Sequence, residues 1–227
     1  MTGSGASGTG SVAGGGAPAL RFVPLRDATP TQRAAFLAIY REALPPTERK
    51  PDDAVLAMAE RADCVLELAE LDGAAVGFLI LYRGQAHPIA LLEYLGVSAS
   101  VRSGGLGSRL FARVAALCQG RTLLVEVETD RDPAAPDREQ RLRRKRFYAR
   151  QGCRQLAHLR YIMPTVGDEA PPPMDLLALT DLDAIDRTTI SAWIGDLYRY
   201  VYGQPQDHPA ITQMTEGLPD QLAFQPI

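Results

Sequence analysis

The feature that most limits what this chain can fold into is a strand that runs through a glycine-rich turn into a helix. Ile89 to Val97 is an apolar run, Ser98 to Ser103 a turn, and Leu106 to Cys118 repeats Leu110, Val114 and Leu117 at helical spacing. Thr122 to Thr129 then reads as a second strand. Strand, helix and strand in that order place two strands side by side and parallel, because the crossover helix returns the chain to its starting edge.

The flanking segments are of another kind. Leu20 to Leu25 reads as a strand, and Pro30 to Ala43 as a helix with Phe36, Leu37 and Tyr40 on its apolar stripe, stopped by Pro45-Pro46. Pro51 to Ala62 predicts a second helix, with Val55, Met58 and Ala59 at helical spacing. Val65 to Leu71 and Ala74 to Tyr82 are strand-like and joined by Asp72-Gly73, a strong hairpin signal. Beyond the parallel unit come a charged helix from Asp137 to Arg150, closed by Gly152, then strands Leu156 to Met163 and Met174 to Leu179. Asp181 to Tyr202 reads as one amphipathic helix. A crossover beside antiparallel hairpins predicts an α/β (α+β) fold: a mixed, mostly antiparallel central sheet of about seven strands, flanked by helices.

Residues 1–19 are almost wholly Gly, Ser, Ala and Thr, too polar to offset their ordering entropy, and are expected to be a disordered tail. Their Gly3-Ser4-Gly5-Ala6-Ser7-Gly8 matches a dinucleotide-binding pattern with no strand before it and no helix after, so it carries no function. Residues 20–180 form the expected domain, and 181–227 a helical extension packing on it. A net charge of -3 gives no general attraction to nucleic acid or anionic membrane. The three cysteines, Cys64, Cys118 and Cys153, have neither disulfide nor zinc spacing, and His87, His158 and His208 are scattered. No metal is expected, and the reading is of a soluble cytoplasmic protein.

Helix-start amides lack intrahelical acceptors, and Gly104, Gly105 and Gly107 allow a phosphate to approach them, with Arg102 and Ser108 alongside. Alone, such glycines more often make only a tight turn. Their context is more specific. Val97, Arg102-x-x-Gly105-x-Gly107 and Leu110 resemble motif A of the GNAT acetyltransferase superfamily, and Phe147-Tyr148-Ala149-Arg150-Gln151-Gly152-Cys153 resembles its second signature.

This resemblance implies that Ile89–Val97 and Thr122–Thr129 splay apart and take the pantetheine arm of acetyl-CoA between them. It places the pyrophosphate on backbone amides from Arg102, Ser103, Gly104, Gly105 and Gly107 to Ser108. It sets the amide of Leu95 toward the thioester carbonyl and pairs Val97 with pantetheine. It also makes Tyr148 the acid for the departing thiolate. In the family an asparagine often stands seven residues before that tyrosine; here the position is Arg141.

An ammonium acceptor also needs a base. Glu93, Glu126 and Glu128 lie on the two cleft strands, and alternation groups Glu93 with Leu91, Leu95 and Val97. Glu93 is taken first, then Glu126, then Glu128; the alternative is an ion-pair partner for Arg102, Arg121 or the arginine-rich helix. That helix carries seven basic residues between Arg138 and Arg150, which ordinarily make a solvated face. Cys153 is read as core packing.

The expected function is N-acetyl transfer from acetyl-CoA to the amine of a small molecule or peptide, in a ternary complex, with residues 40–50 helping to select the acceptor. A non-catalytic acyl-CoA-binding sensor and an interaction protein are the alternatives. Trp193, Tyr198, Tyr200 and Tyr202 suit packing or a homodimer contact better than base stacking.

Overall fold

The computed structural model describes residues 19–101, 104–164 and 172–227. The tail with its Gly3–Gly8 motif, and Arg102 and Ser103 of the phosphate turn, lie outside the described residues.

Among the described residues nine strands form the sheet: β1 (Leu20–Pro24), β2 (Cys64–Leu71), β3 (Ala74–Arg83), β4 (Ile89–Val97), β5 (Thr122–Glu128), β6 (Arg154–Leu156), β7 (Met174–Leu179), β8 (Ala184–Asp186) and β9 (Gln221–Gln225). Their order is β1-β2-β3-β4-β5-β7-β6-β9-β8. The β4–β5 pair is parallel and every other strand pair antiparallel. The helices are α1 (Pro30–Ala43), α2 (Asp52–Ala57), α3 (Leu106–Cys118), α4 (Arg138–Arg150), α5 (Arg187–Tyr200) and α6 (Pro209–Thr215).

Local chemistry fixes most boundaries. Pro30 opens α1 behind Thr29, whose side chain and that of Gln32 cap each other's backbone amides. Asp72 and Gly73 take φ of 50° and 82°, the pair of left-handed residues that a tight hairpin needs. Gly152, at φ 86°, ends α4 as expected.

Apolar side chains divide between the two sheet faces. Phe78, Ile80, Tyr82, Leu91 and Leu124 lie on one, under α1, α2 and α5. Leu79, Leu81, Ala90, Leu92, Val125 and Val127 lie on the other, with Phe111 and Val114 of α3 and Tyr148 of α4.

Four expectations change. The helix expected over residues 51–62 is α only at Asp52–Ala57 and tightens to a 3-10 turn at Met58–Glu60. The strand expected over residues 156–163 is only Arg154–Leu156: His158 turns the chain with φ 65°, and Tyr161 touches the sheet through an isolated bridge to Met174. The helix expected over residues 181–202 starts at Arg187, because the Asp186 side chain accepts from the Thr189 amide and caps it there; Ala184–Asp186 before it is a strand. The extension therefore brings β8 and β9 to the sheet, and the strand count rises from about seven to nine.

Candidate active site

The β4–β5 ladder holds only Ile89–Thr122, Ala90–Leu123 and Leu91–Leu124. Beyond Leu91 the two strands are no longer paired, while β5 stays paired with β7 from Leu123 to Glu128. A bulge in β4 coincides with the parting. Ile80 faces Tyr94 and Leu81 faces Leu92, which leaves Glu93 as the extra residue. Bulges bend and over-twist their strand, and this one carries β4 away from β5.

The bulge also overturns the alternation read from the sequence. Glu93 and Tyr94 both follow Leu91 onto the α1 face, whereas Leu95 and Val97 pack against the α3 side. Gly96 answers the same constraint, since a Cβ there would lie 2.2 Å from the Phe78 ring.

At the mouth of the splay, Gly105 precedes α3 with φ 71° and open space where a Cβ would stand. Gly104 is similarly open. Gly107 differs: its Cβ would touch Phe147 at 3.5 Å, so it serves the contact between α3 and α4. The Ser108 hydroxyl accepts from Gln151 at 3.0 Å. A strand pair with no ladder, ending at an uncrowded left-handed glycine and a helix start, suits an extended ligand that carries a phosphate.

Tyr148 lies on the α3 and α4 face of the sheet, whereas Glu93 and Glu126 meet their partners on the opposite face. Tyr148 is buried with Phe111 and Phe147, ring centroids 5.7 and 5.1 Å away, and burial pushes its phenol up to about 12. Glu93, its side chain 5% exposed, meets Lys50 at 3.1 Å; burial raises its carboxyl and the Lys50 charge opposes the rise. Glu126 accepts from the Tyr161 hydroxyl at 2.5 Å and from the Tyr202 hydroxyl. Burial pushes its carboxyl up to about 7, against the pull of those two donors, and nearby Glu93 adds to the rise. Glu128 pairs with Arg141 and Arg144, each at 3.5 Å, as the ion-pair alternative has it.

The basic helix is not simply a solvated face. Lys145 is buried between Asp130 at 2.6 Å and Asp175 at 2.7 Å, and Arg131 also grips Asp175. Arg141 turns inward to Glu128, Asp137 and the Thr129 carbonyl. These contacts fix the chain that leaves β5. Cys153 is buried in the core beside Tyr148, its thiol pushed up to about 12. Trp193 and Tyr198 are buried in the core as well.

Tyr161 and Tyr202 were not legible as site residues. They lie 35 and 76 positions from Glu126, and no local motif marks them. Tyr202 was read with its neighbouring tyrosines as a packing or homodimer residue.

A sheet whose parallel pair parts beside a glycine-capped helix defines a class built to hold an extended ligand between two strands. The chain belongs to the acetyltransferase (GNAT) family, whose profile matches residues 33–152. The general chemistry of that family is acetyl transfer, with acetyl-CoA as the donor.

Solved structures of similar fold include one described as a GNAT-family acetyltransferase from Bacteroides thetaiotaomicron. It has a TM-score of 0.63 and 23% identity, over 81% of this chain and 98% of that one. A GNAT-family protein from Desulfovibrio desulfuricans gives 0.52 and 19%, over 71% and 99%. ElaA of Escherichia coli gives 0.50 and 11%, over 71% and 99%. No curated protein matches the sequence. Among the described residues no group of three or more His, Cys, Asp or Glu is arranged to hold a metal, and no helix is long and apolar enough to cross a membrane.

Proposed function

We propose that this chain is an N-acetyltransferase that moves the acetyl group of acetyl-CoA directly to an amine, with Glu126 as general base and Tyr148 as general acid. The observation that carries the reading is the Glu126 carboxylate beside the splay, held by two hydroxyls and poised near pH 7.

The residues fit the donor. Leu95 and Val97 lie on the β4 segment beyond the last β4–β5 pair, the segment that the family resemblance sets beside pantetheine. Gly104, Gly105 and the start of α3, with Arg102, Ser103 and Ser108, would hold the pyrophosphate. Acetyl-CoA supplies an activated thioester.

Glu126 takes a proton from the acceptor ammonium. The freed nitrogen forms a bond to the acetyl carbon as the carbon–sulfur bond breaks, and Tyr148 protonates the leaving thiolate. The second proton that the nitrogen sheds on becoming an amide passes through solvent to restore the Tyr148 phenol. Tyr148, at about 12, stays neutral in the resting site and so has that proton to give. Glu93 is better suited to electrostatics than to the base role, because Lys50 already pairs with its charge. The acceptor enters on the α1 face, between Tyr94 with residues 48–50 and the Glu126 side.

The test is thiol release and product mass across a panel of primary amines with acetyl-CoA. Glu126→Gln should lower kcat/KM at least ~100-fold on the best amine while CoA affinity stays constant. Full turnover in that variant removes Glu126 as base. Tight CoA binding with no turnover on any amine favours the sensor reading instead.

A further inference from the structure

We propose that the C-terminal segment completes the active site, with Tyr202 as a positioning residue that holds the Glu126 carboxylate for catalysis. The inference rests on the reading of Glu126 as the base. The family match ends at residue 152, and both hydroxyls on Glu126 come from beyond it. The base therefore sits on a family strand but is gripped by residues outside the matched stretch.

The grip is built rather than incidental. Tyr161 donates to one carboxylate oxygen and Tyr202 to the other, so the carboxylate plane is fixed and each oxygen keeps a lone pair for a substrate proton. Tyr202 follows α5, and its ring packs against Tyr198 with centroids 6.4 Å apart. The Tyr198 hydroxyl in turn donates to the Ile162 carbonyl at 2.6 Å, which ties the end of α5 to the residue after Tyr161.

Two further contacts seat α5. Asp196, fully buried, meets the His87 ring at 2.7 Å, and Arg61 donates to the Tyr200 carbonyl at 3.0 Å. The groups that face Glu126 are then Tyr161, Tyr198 and Tyr202 from the C-terminal part, Glu93 from β4 and Lys50 from the loop before α2. Hydroxyl donors favour the ionised carboxylate and offset its burial. Without Tyr202 the carboxyl holds its proton to higher pH, and less of the base is available near neutrality.

The test reads the carboxyl directly. In full-length protein carrying 13C at the glutamate carboxyls, with the Glu126 signal identified by Glu126→Gln, the titration midpoint near 7 should rise to about 8 in Tyr202→Phe. Tyr161→Phe should move it in the same direction. Unchanged CoA affinity in both variants shows the fold intact. On the best amine of the panel, kcat at pH 7 should fall about 5- to 10-fold in Tyr202→Phe and recover near pH 9.

A midpoint that stays put in Tyr202→Phe while Glu126→Gln is inactive overturns this inference alone. An active Glu126→Gln overturns both the base assignment and the positioning role. A loss of thermal stability with an unmoved midpoint would reduce Tyr202 to packing and also overturns the proposal.

Discussion

Burial of the Glu126 carboxyl ties the stability of the fold to pH. The carboxyl is raised from an ordinary 4.5 to about 7 by burial, so the folded state binds this proton more tightly than the unfolded chain does. Between those two values the unfolded state holds fewer protons, and stability falls as pH rises. The cost is complete above about 7. Replacing Glu126 with Gln should therefore stabilise the protein by about 1–3 kcal/mol at pH 8.5 and by much less at pH 4.5, as urea denaturation at the two values would measure. Equal effects at both pH values would mean that the carboxyl is not desolvated. Glu126 was legible as a candidate from its place in an apolar strand, but the partners of the two carboxylates were not: Glu93 meets Lys50, a residue 43 positions before it that the fold brings to 3.1 Å.

At the scale of elements, four helices and strands were the most legible. Residues 30–43, 89–97, 106–118 and 174–179 form the expected elements to the residue, because apolar period and punctuation by Pro and Gly agree there. The β4 bulge was not legible, since an extra residue leaves the apolar composition of a strand unchanged while reversing the side chains beyond it. The basic residues of α4 form a solvated face only in part, with Arg143, Arg146 and Arg150 exposed and Arg141 and Lys145 turned inward, because charge counts do not say which way a helix face points. Lys145 is the sharpest case, since its ammonium is buried against Asp130 and Asp175. Lys145→Met should cost about 3 kcal/mol in urea denaturation, because Asp175 stays fully buried with Arg131 as its remaining cation. A cost below about 0.5 kcal/mol would place Lys145 among ordinary surface pairs.

At the scale of the molecule, the C-terminal segment is part of the sheet and part of the core. Ile190, Trp193, Ile194 and Leu197 of α5 pack with Leu91 and Leu124 of the parallel pair, and β9 pairs with β6. Ending the chain after Thr180 would bare that apolar face and the β6 edge. The shortened protein should aggregate on expression, or show a marked fall in thermal midpoint and in hydrogen-exchange protection across β4 and β5. A soluble truncation with native protection would show that the segment is dispensable for folding. The same packing delivers Tyr202 to Glu126, so the stability of the sheet and the hydrogen bonding of that carboxylate share one element.

By itself the sequence determined the parallel pair, the glycine entry to α3, the Phe147-Tyr148 signature and hence the family, because each is a local pattern of period, turn chemistry or motif. Only the tertiary structure decided which carboxylate two tyrosine hydroxyls hold, which arginines are structural, and that the chain beyond residue 152 reaches Glu126. Those outcomes are set by contacts between residues tens of positions apart. Their energies come from burial and hydrogen bonding, which exist only once the sheet has closed around them.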